Sequence, residues 1–290
     1  MKKHRIGFCF LCVLILCMGL SMTVSADVGT KPSIRISFEN MPEASFFGTL
    51  LSADSADDYL YGRTEFDGGG YAVEWEPIWN AFSSYEDADG YVFTKQIVHC
   101  SEYGMLKYSP LPPKTFKLLL YFPETDSYAV TLPLDKYAYD AYYTLDLGST
   151  VPQNGTVLEE IRKTYNWGAE IFAFFVRMAL TVLVEVGVAL LFRYRTKPLL
   201  YRIAAVNMTT QLLLNLLLFF VNFHVGGLAM FIVFILCEGL IFLVETVLFA
   251  ILLPMRGGGR WWKAVLYALC ANLLSFLAGL RISLFWPLMF

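Results

Sequence analysis

A chain of 290 residues that is 57% hydrophobic and only 16% charged departs from globular averages far enough to require apolar spans. It reads as an integral membrane protein with the lipid bilayer as its first partner. The net charge of -3, with lysines and arginines gathered near the ends of apolar segments, gives none of the basic excess that nucleic acid would demand.

In chain order, the N-terminus reads MKKHR, then the apolar run Ile6 to Leu20, then SMTVSAD. Val24 and Ala26 place small residues ahead of Asp27, so residues 1–26 form the three-part pattern of a signal peptide. The rival reading is an uncleaved anchor helix. Cys9, Cys12 and Cys17 belong to this segment, Cys237 and Cys270 to later apolar spans, and only Cys100 to the exported part, which therefore has no internal disulfide.

From residue 27 to about 150 the pattern turns to period two, most clearly in SIRISFE, where Ile34, Ile36 and Phe38 alternate with Arg35, Ser37 and Glu39. Further strands are expected at Tyr91–Val98, Thr115–Phe122, Ser127–Leu134 and Ala141–Leu147, separated by turn compositions such as DADG and PETD. One short helix fits Glu76–Asp87. These elements predict an α+β membrane protein: an exported β-sandwich, immunoglobulin-like in outline, followed by transmembrane helices. Glu86, Asp87 and Asp89 before Gly90 spell half of a calcium loop, but the remaining ligands are missing and a plain polar turn is the expected reading. Tyr137, Tyr139, Tyr142 and Tyr143, with Trp75, Trp79 and Tyr85, are candidates for a glycan or peptide platform, against the plainer alternative of core and ordinary strand-surface residues.

Residues 151–168 read as a linker. Beyond it, residues 169–290 hold four segments long enough to cross a ~30 Å hydrocarbon core, about 169–192, 203–221, 228–253 and 264–284, predicting a four-helix bundle. The first connection carries Arg193, Arg195, Lys197 and Arg202, and the third carries Arg256, Arg260 and Lys263, so both are expected in the cytoplasm. The middle turn, Asn222 to Gly227, has no lysine or arginine. The β domain and the C-terminus then lie outside the cytoplasm.

Each span owns a polar stripe, and polar stripes in lipid turn inward. Glu238 and Glu245, seven apart, share one helix face; Asn207, Gln211 and Asn215 step by four on the second span. Asn272, Ser275 and Gly279 mark the fourth, and Arg177 and Glu185 the first. Counting ~1.5 Å per residue from the cytoplasmic ends puts Glu185, Gln211, Glu245 and Asn272 in one layer, while Arg177 and Glu238 match in depth from the outer ends and are expected to pair. Glu245 is then the better candidate for a proton or cation site, and Glu238 an architectural residue. No HExxH, no GxSxG and no intramembrane histidine occurs, so no catalytic residue, metal or cofactor is assigned and the protein is not read as an enzyme.

The first functional expectation is a non-enzymatic cell-envelope protein whose extracytoplasmic β domain binds a ligand or partner above a polar-cored bundle. The alternative is a small proton- or cation-coupled transport component using intramembrane carboxylates. The wording of TVLVEVGVALLF, VNMTTQLLLNLLL, IFLVETVLF and YALCANLLSFLAGL, with PKTFKLLLYFPETDSY and DKYAYDAYYTLDL, resembles uncharacterised membrane proteins of Gram-positive bacteria. The resemblance covers most of the mature chain and implies a signal peptide, an exported β domain and four C-terminal spans, but no activity.

Overall fold

The computed structural model describes residues 31–54, 73–253 and 261–285. The expected signal peptide, residues 1–26, and Arg256 and Arg260 lie outside them. The chain divides into two compact units between Tyr165 and Asn166.

The first unit is built on β1 (Ser33–Glu39), whose alternation puts Ile34, Ile36 and Phe38 inside. It pairs antiparallel with β5 (Met105–Tyr108) and parallel with β9 (Asp140–Asp146), and β11 (Ile161–Lys163) completes a four-stranded sheet in the order β11-β9-β1-β5. The second sheet centres on β2 (Phe47–Ser52) and β6 (Thr115–Phe122), paired antiparallel from Phe47–Tyr121 to Ser52–Phe116. Beyond β6 lie β7 (Ser127–Thr131), β8 (Leu134–Asp135) and, parallel to β7, β10 (Thr156–Leu158). Beyond β2 lie the two-residue strands β3 (Val92–Phe93) and β4 (Val98–His99). Ile36, Leu106, Tyr143 and Leu145 from the first sheet share one buried cluster with Leu50, Leu118, Leu120 and Phe122 from the second and with Phe46 just before β2.

Several elements differ from the sequence reading. β10 and β11 fall within residues 151–168, so the stretch expected as a linker supplies a strand to each sheet. The strand expected over Tyr91–Val98 breaks into β3 and β4 because Lys95 adopts φ +62, outside the extended region. The parallel β1–β9 and β10–β7 pairs depart from the purely antiparallel sheets that an immunoglobulin-like outline implies. Gly48 of β2 is required by close approach, since a Cβ there would stand 2.7 Å from Cys100 Sγ and 2.9 Å from Leu106 Cδ1.

The outer face of β2 and β6 is also covered. Helix α1 (Glu76–Ser83) lays Ile78, Trp79 and Phe82 against Leu51, Leu119 and Tyr121. Coverage on both faces explains why β6 reads TFKLLLYF without alternation, and it traps Lys117, only 4% exposed. Asp87 accepts from Lys117 Nζ through both carboxylate oxygens at 2.9 Å, Asp89 accepts as well, and the Tyr91 ring lies 4.8 Å from the ammonium. The acidic cluster therefore clamps a buried lysine. One helical turn, α2 (Cys100–Tyr103), follows β4.

Among its described residues the second unit holds four helices long and apolar enough to cross a membrane. They are α3 (Trp167–Leu191), α4 (Lys197–Val225), α5 (Gly227–Leu252) and α6 (Trp262–Phe285). Asn166 caps α3, its side chain accepting from the Ala169 N–H at 3.0 Å, and Pro198 sits in the first turn of α4, where its missing donor costs nothing. α4 runs through most of the expected outer turn and reverses at Gly226, whose φ of +101 suits glycine. Packing runs α3–α4, α4–α5, α5–α6 and α6–α3, a closed four-helix ring.

Candidate functional site

Along the inside of this ring the residues change character from one end to the other. At the end holding the α3–α4 connection, Tyr267 of α6 gathers the rings of Phe192, Tyr194 and Phe249 at 5.3–5.8 Å, with Val188, Ile203 and Leu253 in the same buried cluster. This is an aromatic plug. Lys263 lies 4.9 Å from the Tyr194 ring, and Arg202 donates to the Leu252 carbonyl at 3.2 Å, so the basic residues surround the plugged end.

Next comes a polar layer fed by all four helices. Glu185 of α3 is 1% exposed, Asn207 of α4 0%, Glu245 of α5 1% and Asn272 of α6 6%. Glu245 is fully engaged: Thr210 donates to its Oε1 at 2.6 Å and Asn272 Nδ2 to its Oε2 at 2.9 Å. Glu185 is held more loosely: Ser275 donates to its Oε1 at 3.4 Å, and the Asn207 amide faces it across the α3–α4 interface in a contact looser than a regular hydrogen bond. Glu185, Glu238 and Glu245 all stand close enough to act on one another electrostatically.

Beyond the layer, toward the other end of the ring, opens a cavity of about 70 Å³. Its polar lining runs from Glu170 and Asn222 past Arg177, Asn215 and Glu238 to Gln211 and Ser275, which borders the layer itself. Arg177 Nε donates to Asn215 Oδ1 at 2.8 Å, and Glu170, seven residues earlier on the same helix, acts on its charge. Trp167 rings this end with Phe219 and Phe223 at 5.6 and 6.0 Å, the amphipathic aromatic arrangement expected at a membrane interface.

Among the residues singled out from the sequence, the structure brings Glu245 and Asn272 into direct contact and places Glu185 beside them. Gln211 lies a turn away, its backbone carbonyl accepting from Asn215 Nδ2 at 2.8 Å. Arg177 and Glu238 line the same cavity, and Arg177 Nε donates to Asn215 Oδ1. Thr210 and Tyr267 were not legible as site residues: a threonine adjacent to a stripe, and a tyrosine in an aromatic-rich helix, carry no distinguishing signal. Among the described residues no group of three or more histidines, cysteines, aspartates and glutamates is placed to hold a metal ion.

In the β unit, the aromatic candidates separate. Trp75, Trp79 and Tyr85 accompany α1 outside the second sheet, whereas Tyr142 and Tyr143 belong to β9, with Tyr143 buried and bonded to the Asp135 carbonyl. They do not form one platform. A separate open cleft of about 570 Å³ lies between Trp79, Tyr85, Tyr91, Phe93 and Lys95.

Comparison with protein families, curated proteins and solved structures returns no match for the chain.

Proposed function

We propose that the chain is a multi-pass protein of the cell membrane whose helical unit is a small proton- or cation-coupled transport component, with no enzymatic role. One observation carries this reading: three glutamates, Glu185, Glu238 and Glu245, act on one another electrostatically inside the ring, beside a cavity whose lining includes Arg177, Gln211, Asn215, Glu238 and Ser275. A polar layer that served only as interhelical glue has no need of three neighbouring carboxylates, which cannot all be ionised together in a low-dielectric site. Intramembrane ionisable groups on such a path mark proton or ion movement by default. The resemblance to membrane proteins of Gram-positive bacteria fits this location without assigning the activity.

The charge rule supports the orientation. The basic plugged end belongs to the cytoplasm, so the cavity lies toward the extracytoplasmic side. Alternating access then requires the Tyr267 plug to loosen while the cavity closes.

A second reading has its own support. The aromatic cleft beside α1 suits a β-sandwich module that captures an extracytoplasmic ligand or protein partner, with the helices as its anchor. Reconstituted vesicles separate the two. Ion flux that is present in the wild type and lost with Glu185→Gln supports the transport reading; absence of flux, with only a weakened fold in the variant, supports the binding module.

A further inference from the structure

Separately from the transport reading, which gives the helices no enzymatic role, we propose that the β unit carries a serine nucleophile: Ser45, activated by His99 and oriented by Glu102 for acyl transfer from activated carboxylic esters such as aryl esters and thioesters. Ser45 Oγ lies 2.9 Å from His99 Nε2, and His99 Nδ1 lies 3.0 Å from Glu102 Oε2. A carboxylate can only accept, so Nδ1 carries the imidazole proton and Nε2 is left to accept from the serine hydroxyl. Nucleophile, base and orienting acid thus stand in hydrogen-bond contact in the order that acyl transfer requires. No GxSxG surrounds Ser45 in the sequence, but such a relay is defined by geometry and roles rather than by a motif.

The fold holds the three groups on fixed backbone. Ser45 lies at the entry to β2 and His99 closes β4, and the β2–β4 register sets His99 opposite Phe47. The imidazole stacks on the Phe47 ring at 4.5 Å and lies edge-on to Trp75 at 6.1 Å. The turn α2, which carries Glu102, is stitched to the Ser45 side: the N–H groups of Cys100 and Ser101 donate to the Phe46 carbonyl at 3.0 and 3.3 Å, and the Phe46 N–H donates to Ser101 Oγ at 3.2 Å. Such preplacement is what a nucleophile–base pair needs, since a misplacement of about 1 Å can cost ~10²-fold in rate.

The chemistry follows from these atoms and water. Ser45 Oγ adds to the ester carbonyl carbon as its proton passes to His99 Nε2. The imidazolium, held by Glu102, returns that proton to the departing oxygen or sulfur, which leaves as an alcohol or thiol. Water then attacks the acyl-serine by the same route, releasing the carboxylic acid and free Ser45. The side chains of His99 and Glu102 are 25% and 57% exposed, so the site is open to solvent and water solvates the tetrahedral oxyanion. That limits the substrates to esters with good leaving groups, because a preorganised oxyanion site supplies the largest rate gain on poorer ones.

The test is labelling of the purified full chain in lipid nanodiscs with an alkyl fluorophosphonate, which phosphonylates activated serines, read by mass spectrometry of the modified peptide. Ser45 is expected to react at least about 100-fold faster in the native than in the unfolded chain, the gain that general-base catalysis supplies. His99→Ala should lose that advantage and regain part of it with added imidazole, a rescue that a merely structural histidine would not show. Glu102→Gln should slow labelling about tenfold or more with thermal unfolding unchanged, since its side chain is exposed. It keeps the test meaningful where His99→Ala fails to fold. Hydrolysis of p-nitrophenyl acetate should vanish in Ser45→Ala. Ser45 labelled no faster than in the unfolded chain, labelling indifferent to both substitutions, or hydrolysis unchanged in Ser45→Ala overturns the proposal. None of these outcomes alters ion flux through the helices, so the two readings fail separately.

Discussion

Replacing Lys117 by methionine tests the packing logic of the β unit. The methionine keeps the stem that lies between the sheet and the Tyr91 ring and removes only the ammonium. Asp87, whose side chain is 2% exposed, then loses a partner at 2.9 Å on both oxygens. Breaking one side of a buried ion pair costs about 3–5 kcal/mol. Asp87 Oδ2 still accepts from the backbone N–H groups of Asp89 at 3.0 Å and Tyr91 at 3.3 Å, which puts the expected loss at the lower end, about 3 kcal/mol. For a unit of this size that corresponds to a fall in Tm of roughly 10–15 °C. Thermal unfolding of residues 27–165, followed by the fluorescence of Trp75 and Trp79, reads it directly. The double variant Lys117→Met/Asp87→Asn should recover at least half of the loss, since it removes the stranded charge and keeps the backbone bonds. A loss below about 1 kcal/mol, or a double variant no better than the single one, would refute the reasoning.

The same pair fixes a pH dependence. Burial pulls the Lys117 amine down, but hydrogen bonds to Asp89 and Asp87 outweigh it and hold the amine above its ordinary 10.5. A raised folded value contributes stability that is complete below about pH 10.5 and lost as pH climbs through it, so the gap in Tm between wild type and Lys117→Met should close in strong alkali. A fragment ending at residue 150 should be markedly less stable than one ending at 165, because it forfeits β10 and β11 and with them the burial of Leu158; equal denaturant midpoints would contradict the assignment of those strands. Gly48→Ala should cost about 1–3 kcal/mol by forcing a methyl against Cys100 and Leu106, read as a shifted denaturation midpoint. Burial pushes the Cys100 thiol well up, so it should resist a maleimide in the native fragment and react on unfolding.

What the sequence could reveal follows from how each element is solvated. β1 is covered on one face and open on the other, so its alternation is legible in SIRISFE. β2 is buried along its whole length, and FGTLLS shows no period to read. β10 and β11 are three-residue edge strands with too few residues to form a pattern. In the bundle the reverse holds: lipid makes polar residues rare, so Glu185, Asn207, Gln211, Glu245 and Asn272 stand out from their spans and their helical spacing places them inside. Which atom meets which depends on rotation and height differences of a few ångströms between helices, finer than residue counting resolves. That is why Asn215, a residue of the same stripe, is found accepting from Arg177 Nε, a contact that depth alone did not single out.

The most direct measurement of the central claim is proton flux through the purified chain reconstituted in vesicles carrying an imposed pH gradient, followed by an enclosed pH-sensitive dye. The account predicts protein-dependent collapse of the gradient that vanishes in Glu185→Gln while the variant keeps the thermal unfolding of the wild type. No protein-dependent flux, or flux untouched by both Glu185→Gln and Glu245→Gln, would contradict the account.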